Sequence, residues 1–215
     1  MSFEQKNIVI TSAVRTAIGT FRGALKSMQG HDLGSIVVKE SMKKANLKSE
    51  DIDELIMGQV LTSATGQNPA RQTAIKAGLP IEKTAYVINQ VCGSGLRSVA
   101  AGYQAIMSND SKVVIAGGQE SMTNAPHAIN FRNGQKLEES KLIDTMIKDG
   151  LWDAFNGYHM GVTAENVAAK WKITRKDQDD FALSSQNKAE KAQKYGKFNN
   201  EIVPVVLKSI KKNVI

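Results

Sequence analysis

The stretch Ala85-Tyr86-Val87-Ile88-Asn89-Gln90-Val91-Cys92-Gly93-Ser94-Gly95-Leu96-Arg97-Ser98 decides how this chain is read. Its first four residues form an apolar run of strand type, and from Ser94 to Met107 the apolar positions take up helical spacing. The sole cysteine of the chain, Cys92, therefore falls where a strand turns sharply into a helix. Unpaired N–H groups and the positive end of the helix dipole favour an anion at such a start, and so a thiolate. Gly93 and Gly95 are expected to permit the tight turn and to leave room for a substrate carbonyl beside the sulfur. The pattern is that of a nucleophile elbow. From the residues alone a second reading stands beside it, because a lone cysteine also serves as a small buried hydrophobe.

Outward from the elbow, strand-like runs alternate with helix-like periods through the first 120 residues. Strands are expected at Ile8–Ala13, Leu55–Val60, Ala85–Val91 and Lys112–Ala116, and helices at Asp32–Ala45, Asn68–Ala77 and Ser94–Met107. Leu33, Ile36 and Val37 share a face of the first helix, with Asp32 as its expected N-cap. This alternation predicts a layered α/β domain on a largely parallel sheet, with Cys92 at the carboxyl end of a strand, where open sheets of this kind bind ligands. From Ser121 to Val162 the periodicity fades and Asn, Gly, Met and aromatic residues accumulate, as in a loop packed over a site. Thr163 is then expected to cap a helix through Lys170, and Thr174 a longer one from Arg175 to about Tyr195. Gly196 fits a helix stop, and Glu201–Leu207 reads as a strand.

The 215 residues, 41% hydrophobic and 23% charged, can bury one good core and a smaller second one. A single cysteine excludes an internal disulfide and suits a reducing compartment. Met1–Lys6 carries no apolar signal core, and no run is long enough to span a bilayer, so a cytoplasmic location and no membrane partner are expected. The net charge of +7 does not indicate nucleic acid, because the basic residues are scattered and rarely interleaved with aromatics. Three of them, Lys208, Lys211 and Lys212, fall at the carboxyl end. The excess fits solvated surface lysines as well as attraction of a polyanionic ligand.

The residues around Cys92, from Ile88 to Val99 and on to Met107, resemble the acyl-enzyme signature of the thiolases. Other segments resemble thiolase motifs in the same order. They are Arg15-Thr16-Ala17-Ile18-Gly19-Thr20-Phe21 with Gly23, then Gly66-Gln67-Asn68-Pro69-Ala70-Arg71, then Ala116-Gly117-Gly118-Gln119-Glu120-Ser121-Met122. The last is Asn156-Gly157-Tyr158-His159-Met160-Gly161-Val162-Thr163-Ala164-Glu165-Asn166. The resemblance is closest to the acetyl-CoA acetyltransferase branch. It implies a thiolase-like layered α/β fold: an N-terminal βαβα core over residues 1–120, part of an inserted substrate-covering loop domain over 121–205, and a tail at 206–215 outside the family pattern. The C-terminal half of that fold would be absent.

The resemblance also implies a reaction. Cys92 would take an acetyl group from acetyl-CoA, and a second acetyl-CoA would attack it to give acetoacetyl-CoA and CoA, or the reverse thiolysis would run. Coenzyme A thioesters are then substrates, and no cofactor is expected. Leu151, His159 and Met160 would border the pantetheine arm. Asn89 would brace the turn, Gly117-Gly118 would serve close backbone approach, and Arg15 and Arg71 would hold loops or a subunit contact. His127 reads as a surface or packing residue, and His31 as a capping or exposed residue ahead of a helix. None of the three histidines stands at metal-ligand spacing, so no metal site is expected. Homo-oligomers, dimeric or tetrameric, are the family habit.

Thiolases draw an activating His from a Gly-His-Pro motif, a second Cys from Cys-x-Gly-Gly, and an oxyanion-hole Asn from Asn-Glu-Ala-Phe. None of these motifs occurs in this sequence. Two readings follow: an acetyl-CoA C-acetyltransferase by ancestry, or a shortened, catalytically incomplete chain, either a pseudoenzyme or a subunit that needs a C-terminal partner. The Tyr158-His159-Met160-Gly161 motif and the surroundings of Cys92 argue against a chain-elongating condensing enzyme of the wider superfamily.

Overall fold

In the computed structural model, residues 7–132, 134 and 141–207 are described in full, and residues 213–214 by their backbone. The lysines at 208, 211 and 212, the segment Met1–Lys6 and most of the expected 206–215 tail lie outside the described residues. The centre is a three-stranded parallel sheet of β2 (Glu54–Gly58), β3 (Thr84–Ile88) and β4 (Val114–Gly118) in the order β3-β2-β4. Glu54 stands level with Thr84 on one side and with Val114 on the other. β2 reads Glu-Leu-Ile-Met-Gly and is buried on both faces, which explains its unbroken apolar run.

Helices cover both faces. Leu55 and Met57 of β2, with Ala85, Val87, Val113 and Ile115, pack on α1 (Gly30–Ala45) and α2 (Pro69–Ala77) through Val38, Met42, Ala70, Ala74 and Ala77. The small side chains on α2 let it lie close to both α1 and the sheet. The opposite face holds α3 (Ser94–Met107), whose Gly102 lies against Val114 and Ala116 of β4. Both helices of the first layer start and stop on local signals. Gln29 and Asp32 form a capping box on α1, which ends at Asn46 in the left-handed region. Asn68 accepts from the Arg71 N–H ahead of Pro69, and Gly78 ends α2 at φ 92°. Asp32 thus acts three residues inside the cap and is not the N-cap itself.

The remaining elements are short or peripheral. β1 (Arg15–Thr16) pairs in parallel with β7 (Ile202–Val203), whereas β5 (His127–Ala128) pairs antiparallel with β6 (Ile143–Asp144), and β8 (Val206–Leu207) antiparallel with β9 (Asn213–Val214). A π-helical turn spans Met146–Leu151. α4 (Met160–Trp171) and α5 (Arg175–Lys194) follow, and neither buries a residue. No helix among the described residues is long and apolar enough to cross a membrane.

Four sequence expectations need correction. Ile8–Ala13 is not a strand: no neighbouring strand among the described residues offers it hydrogen bonds, and apolar sequence alone does not make a ladder. The strand expected to reach Val91 ends at Ile88, where the backbone departs into the elbow. Glu201–Leu207 is divided into β7 and β8 around Pro204, which lacks the donor a continuous ladder requires. Thr163 does not cap α4; it lies inside the helix, and His159 caps it.

Candidate active site

The elbow hangs from the carboxyl end of β3 and is tied by side chains. Asn89 Oδ1 accepts the Val91 N–H at 2.9 Å. Ser94 Oγ accepts the Gln90 N–H at 2.8 Å and donates to the Val91 carbonyl at 2.6 Å. The Gly93 N–H closes the turn on the Gln90 carbonyl at 3.1 Å. The backbone strain lies at Val91, whose φ is +48°, while Gly93 is right-handed at φ −82°. A β-branched residue in the left-handed region costs on the order of 1–3 kcal/mol and is held only by firm surroundings. The glycine flanking Cys92 is therefore not what turns the chain. Cys92 itself is exposed and stands one residue before the N-cap of α3, which sets aside the buried-hydrophobe reading.

Glycines do matter one layer below. A Cβ on Gly58 would lie 2.4 Å from the Ser94 carbonyl carbon, and one on Gly118 would lie 3.3 Å from the Gly95 Cα. The first turn of α3 thus rests directly on the ends of β2 and β4. Ser98 Oγ, fully buried, is hydrogen-bonded to the Gly117 carbonyl at 2.7 Å and to the Gly95 carbonyl at 2.6 Å.

A polar brace joins the same strand ends. Thr73 Oγ1 donates to Gln119 Oε1 at 2.6 Å, Gln119 Nε2 donates to Gln59 Oε1 at 2.8 Å, and Gln59 Nε2 donates to the Leu61 carbonyl at 3.0 Å. All three side chains are buried. The Glu120 carboxylate accepts the Val60 N–H at 2.8 Å and the Leu61 N–H at 3.2 Å. Burial pushes the Glu120 carboxyl above its ordinary range, and these N–H groups offset only part of that. The loop they hold, through the Val60 carbonyl, also receives the Asn89 amide at 3.4 Å. Glu120 borders a 460 Å³ cavity together with Thr16–Phe21, Ser121–Thr123 and Met146. Sequence reasoning quoted Gln119 and Glu120 within a motif without giving them a role. An acidic residue two positions past the end of an apolar strand, Val114–Gly118, is the signal the sequence carries for that role.

The substrate-side candidates are brought together. Trp152 and His159 form an antiparallel bridge, which sets Leu151 opposite Met160. His159 Nδ1 accepts the Gly161 N–H at 3.0 Å as the cap of α4, leaving its proton on Nε2. Met160 is 38% exposed. This corner reaches the strand ends where Gly150 lies against Leu61.

Every histidine is engaged away from the thiol. His31 is 8% exposed inside the first turn of α1, not an exposed residue ahead of it, and its Nδ1 lies 2.9 Å from Lys76 Nζ and 3.3 Å from Asp32 Oδ1. His127 is exposed and lies 3.9 Å from Asp144. Among the described residues no imidazole or carboxylate is hydrogen-bonded to Cys92, and no group of His, Cys, Asp and Glu could hold a metal ion. Arg71 holds the loop after α2 by donating to the Ile81 and Lys83 carbonyls. Arg15 pairs with Glu201 at 3.5 Å and lies over the Phe198 ring.

Comparison with known proteins gives the family of the chain. The family model described as thiolase, N-terminal domain, matches residues 8–215. The chain is 58% identical over 208 residues to an acetyl-CoA acetyltransferase of Rhizobium meliloti (strain 1021), covering 97% of this chain and 53% of that protein. It is 59% identical over 203 residues to an acetyl-CoA acetyltransferase of Paracoccus denitrificans, covering 94% and 52%. It is 52% identical over 205 residues to a probable acetyl-CoA acetyltransferase of Escherichia coli (strain K12), covering 95% and 52%. The chain spans about half the length of the curated relatives it matches.

Proposed function

Because this chain belongs to the thiolase family, as an N-terminal domain, we propose that Cys92 is the acyl acceptor of an acetyl-CoA acetyltransferase reaction. The Cys92 thiolate attacks the thioester carbonyl of acetyl-CoA, a tetrahedral oxyanion forms and collapses, and CoA leaves as a thiol after taking up a proton. The bond formed, sulfur to acyl carbon, replaces one of the same kind, so the exchange is nearly even in energy. A second acetyl-CoA then loses an α-proton and its carbon attacks the acetyl-enzyme, giving acetoacetyl-CoA and free Cys92; thiolysis is the reverse. Asn89 and Ser94 fix the elbow, and Leu151, His159 and Met160 wall the pantetheine arm. The observation that carries this reading is the exposed sulfur on a strained, side-chain-clamped turn at the carboxyl end of a parallel sheet.

A second reading bears on how much of the reaction this chain performs. Among the described residues each histidine has another partner and none is hydrogen-bonded to Cys92, so no base is in place beside the thiol. The chain then carries the acyl-accepting half, and acid–base groups worth about 10²–10⁴ in rate come from the half of its relatives' length that it does not span. The test is exposure to acetyl-CoA followed by peptide mapping. Acetyl on Cys92 is expected and should vanish in Cys92→Ser; acetyl on lysines alone would overturn the assignment.

A further inference from the structure

Val60 and Leu61 run on from the carboxyl end of β2, and side chains take all four of their backbone polar groups. Glu120 accepts both N–H groups, at 2.8 and 3.2 Å. The Val60 carbonyl receives the Asn89 amide at 3.4 Å, and the Leu61 carbonyl receives the Gln59 amide at 3.0 Å. One residue earlier, the Gln59 N–H donates to the Ile88 carbonyl at 3.1 Å, at the root of the elbow. Leu61 is buried, and its Cδ2 lies 3.6 Å from where a Cβ on Gly150 would stand, one residue before Leu151. The pair thus touches both the elbow that carries Cys92 and the corner of Leu151, His159 and Met160.

Glu120 follows β4, and its partners are backbone N–H groups instead of a cation. A carboxylate drawn out of water in this way is costly unless its oxygens accept firm hydrogen bonds. What those bonds fix here is two residues of irregular backbone that the sheet ladder does not hold. We propose that Glu120 is a positioning residue for acyl transfer, holding Val60–Leu61 as a strut that keeps the elbow and the Leu151 corner in register. The proposal rests on Cys92 as the acyl acceptor and deepens that reading. A coenzyme A thioester must meet both ends of the strut at once, with its carbonyl at the sulfur and its pantetheine arm at the corner. A small alkylating reagent meets the sulfur alone. The clamp inside the elbow, from Asn89 Oδ1 and Ser94 Oγ, does not involve Glu120. Release of the strut is therefore felt by the thioester and not by the reagent.

The test compares two rates at Cys92 of this chain, acetylation by saturating acetyl-CoA and alkylation by iodoacetamide, both read by peptide mapping. Glu120→Ala is expected to slow acetylation about tenfold or more and to leave alkylation within about twofold of the parent. Glu120→Gln keeps one acceptor oxygen and should recover much of the loss. Unchanged acetylation in Glu120→Ala would overturn the strut and leave Cys92 as the acyl acceptor. Equal slowing of both reactions would overturn it too, since the elbow itself would then be disturbed, as would a Glu120→Gln chain no faster than Glu120→Ala. A parent chain that takes no acetyl at Cys92 would overturn the acyl-acceptor reading, and the proposal with it.

Discussion

At Val91 a β-branched residue occupies a backbone region that suits glycine, and three hydrogen bonds from Asn89 and Ser94 keep it there. Asn89→Ala removes the acceptor of the Val91 N–H and should cost about 1 kcal/mol by urea denaturation. In a Val91→Gly background the same change should cost less, because glycine needs no clamp; a coupling of about 0.5–1 kcal/mol is expected from the double-mutant cycle. Additive effects would show that the clamp and the strained residue are independent. The elbow was legible in the sequence because Cys92 sits between an apolar run and a helical period. Its mechanism was not, since Gly93 and Gly95 drew the eye while the positive φ fell on a valine. A side-chain clamp between residues two to four apart has no composition signal of its own.

At the scale of elements, the strand ends are fastened by carboxylates whose titrations run in opposite directions. Asp53 Oδ2 accepts the Lys112 N–H at 2.7 Å and the Val113 N–H at 3.0 Å, joining the entry of β2 to that of β4. Those bonds hold the Asp53 carboxyl below its ordinary range. Its stabilisation is present above the unfolded carboxylate range and is lost as pH falls through the depressed value. Asp53→Asn should therefore destabilise at neutral pH, and the gap to the parent should close on acidification, read as melting temperature against pH. Glu120 behaves oppositely: burial raises it, so its charged form opposes folding as pH rises through the raised value. Acidification should accordingly shift stability toward the parent relative to Glu120→Gln, and a flat difference would mean that Glu120 is not desolvated. The parallel sheet and the Thr174 cap were legible from period and local chemistry, whereas Asp32 and Thr163, expected as caps, lie inside their helices. Ile8–Ala13 was not, because a strand exists only where another strand meets its backbone.

Over the whole molecule, much apolar surface is left open. Leu96 and Tyr103 of α3 are exposed, Phe155 is 99% exposed, and α4 and α5 carry Trp171, Phe181 and Leu183 outward without burying any residue. The periodicity of α4 and α5 announced helices correctly, yet an apolar stripe predicts burial only where the sequence also supplies what covers it. The exposed thiol, its clamped turn and the corner of Leu151, His159 and Met160 lie within this chain, whereas its three imidazoles lie against Lys76, Asp144 and the Gly161 N–H. Acylation by an unassisted thiolate and carbon–carbon bond formation then separate experimentally, because only the second must remove a carbon-bound proton. Incubated alone with acetyl-CoA, the chain should acquire one acetyl group at Cys92 but form acetoacetyl-CoA about 10²–10⁴-fold more slowly than a mixture with a polypeptide bearing the missing acid–base groups. The check is an assay that follows the appearance of acetoacetyl-CoA from acetyl-CoA, run with each chain singly and together. Equal turnover by this chain alone would mean that a base among its own residues reaches the sulfur, and His159, whose Nε2–H is not used in capping α4, would be the first to replace.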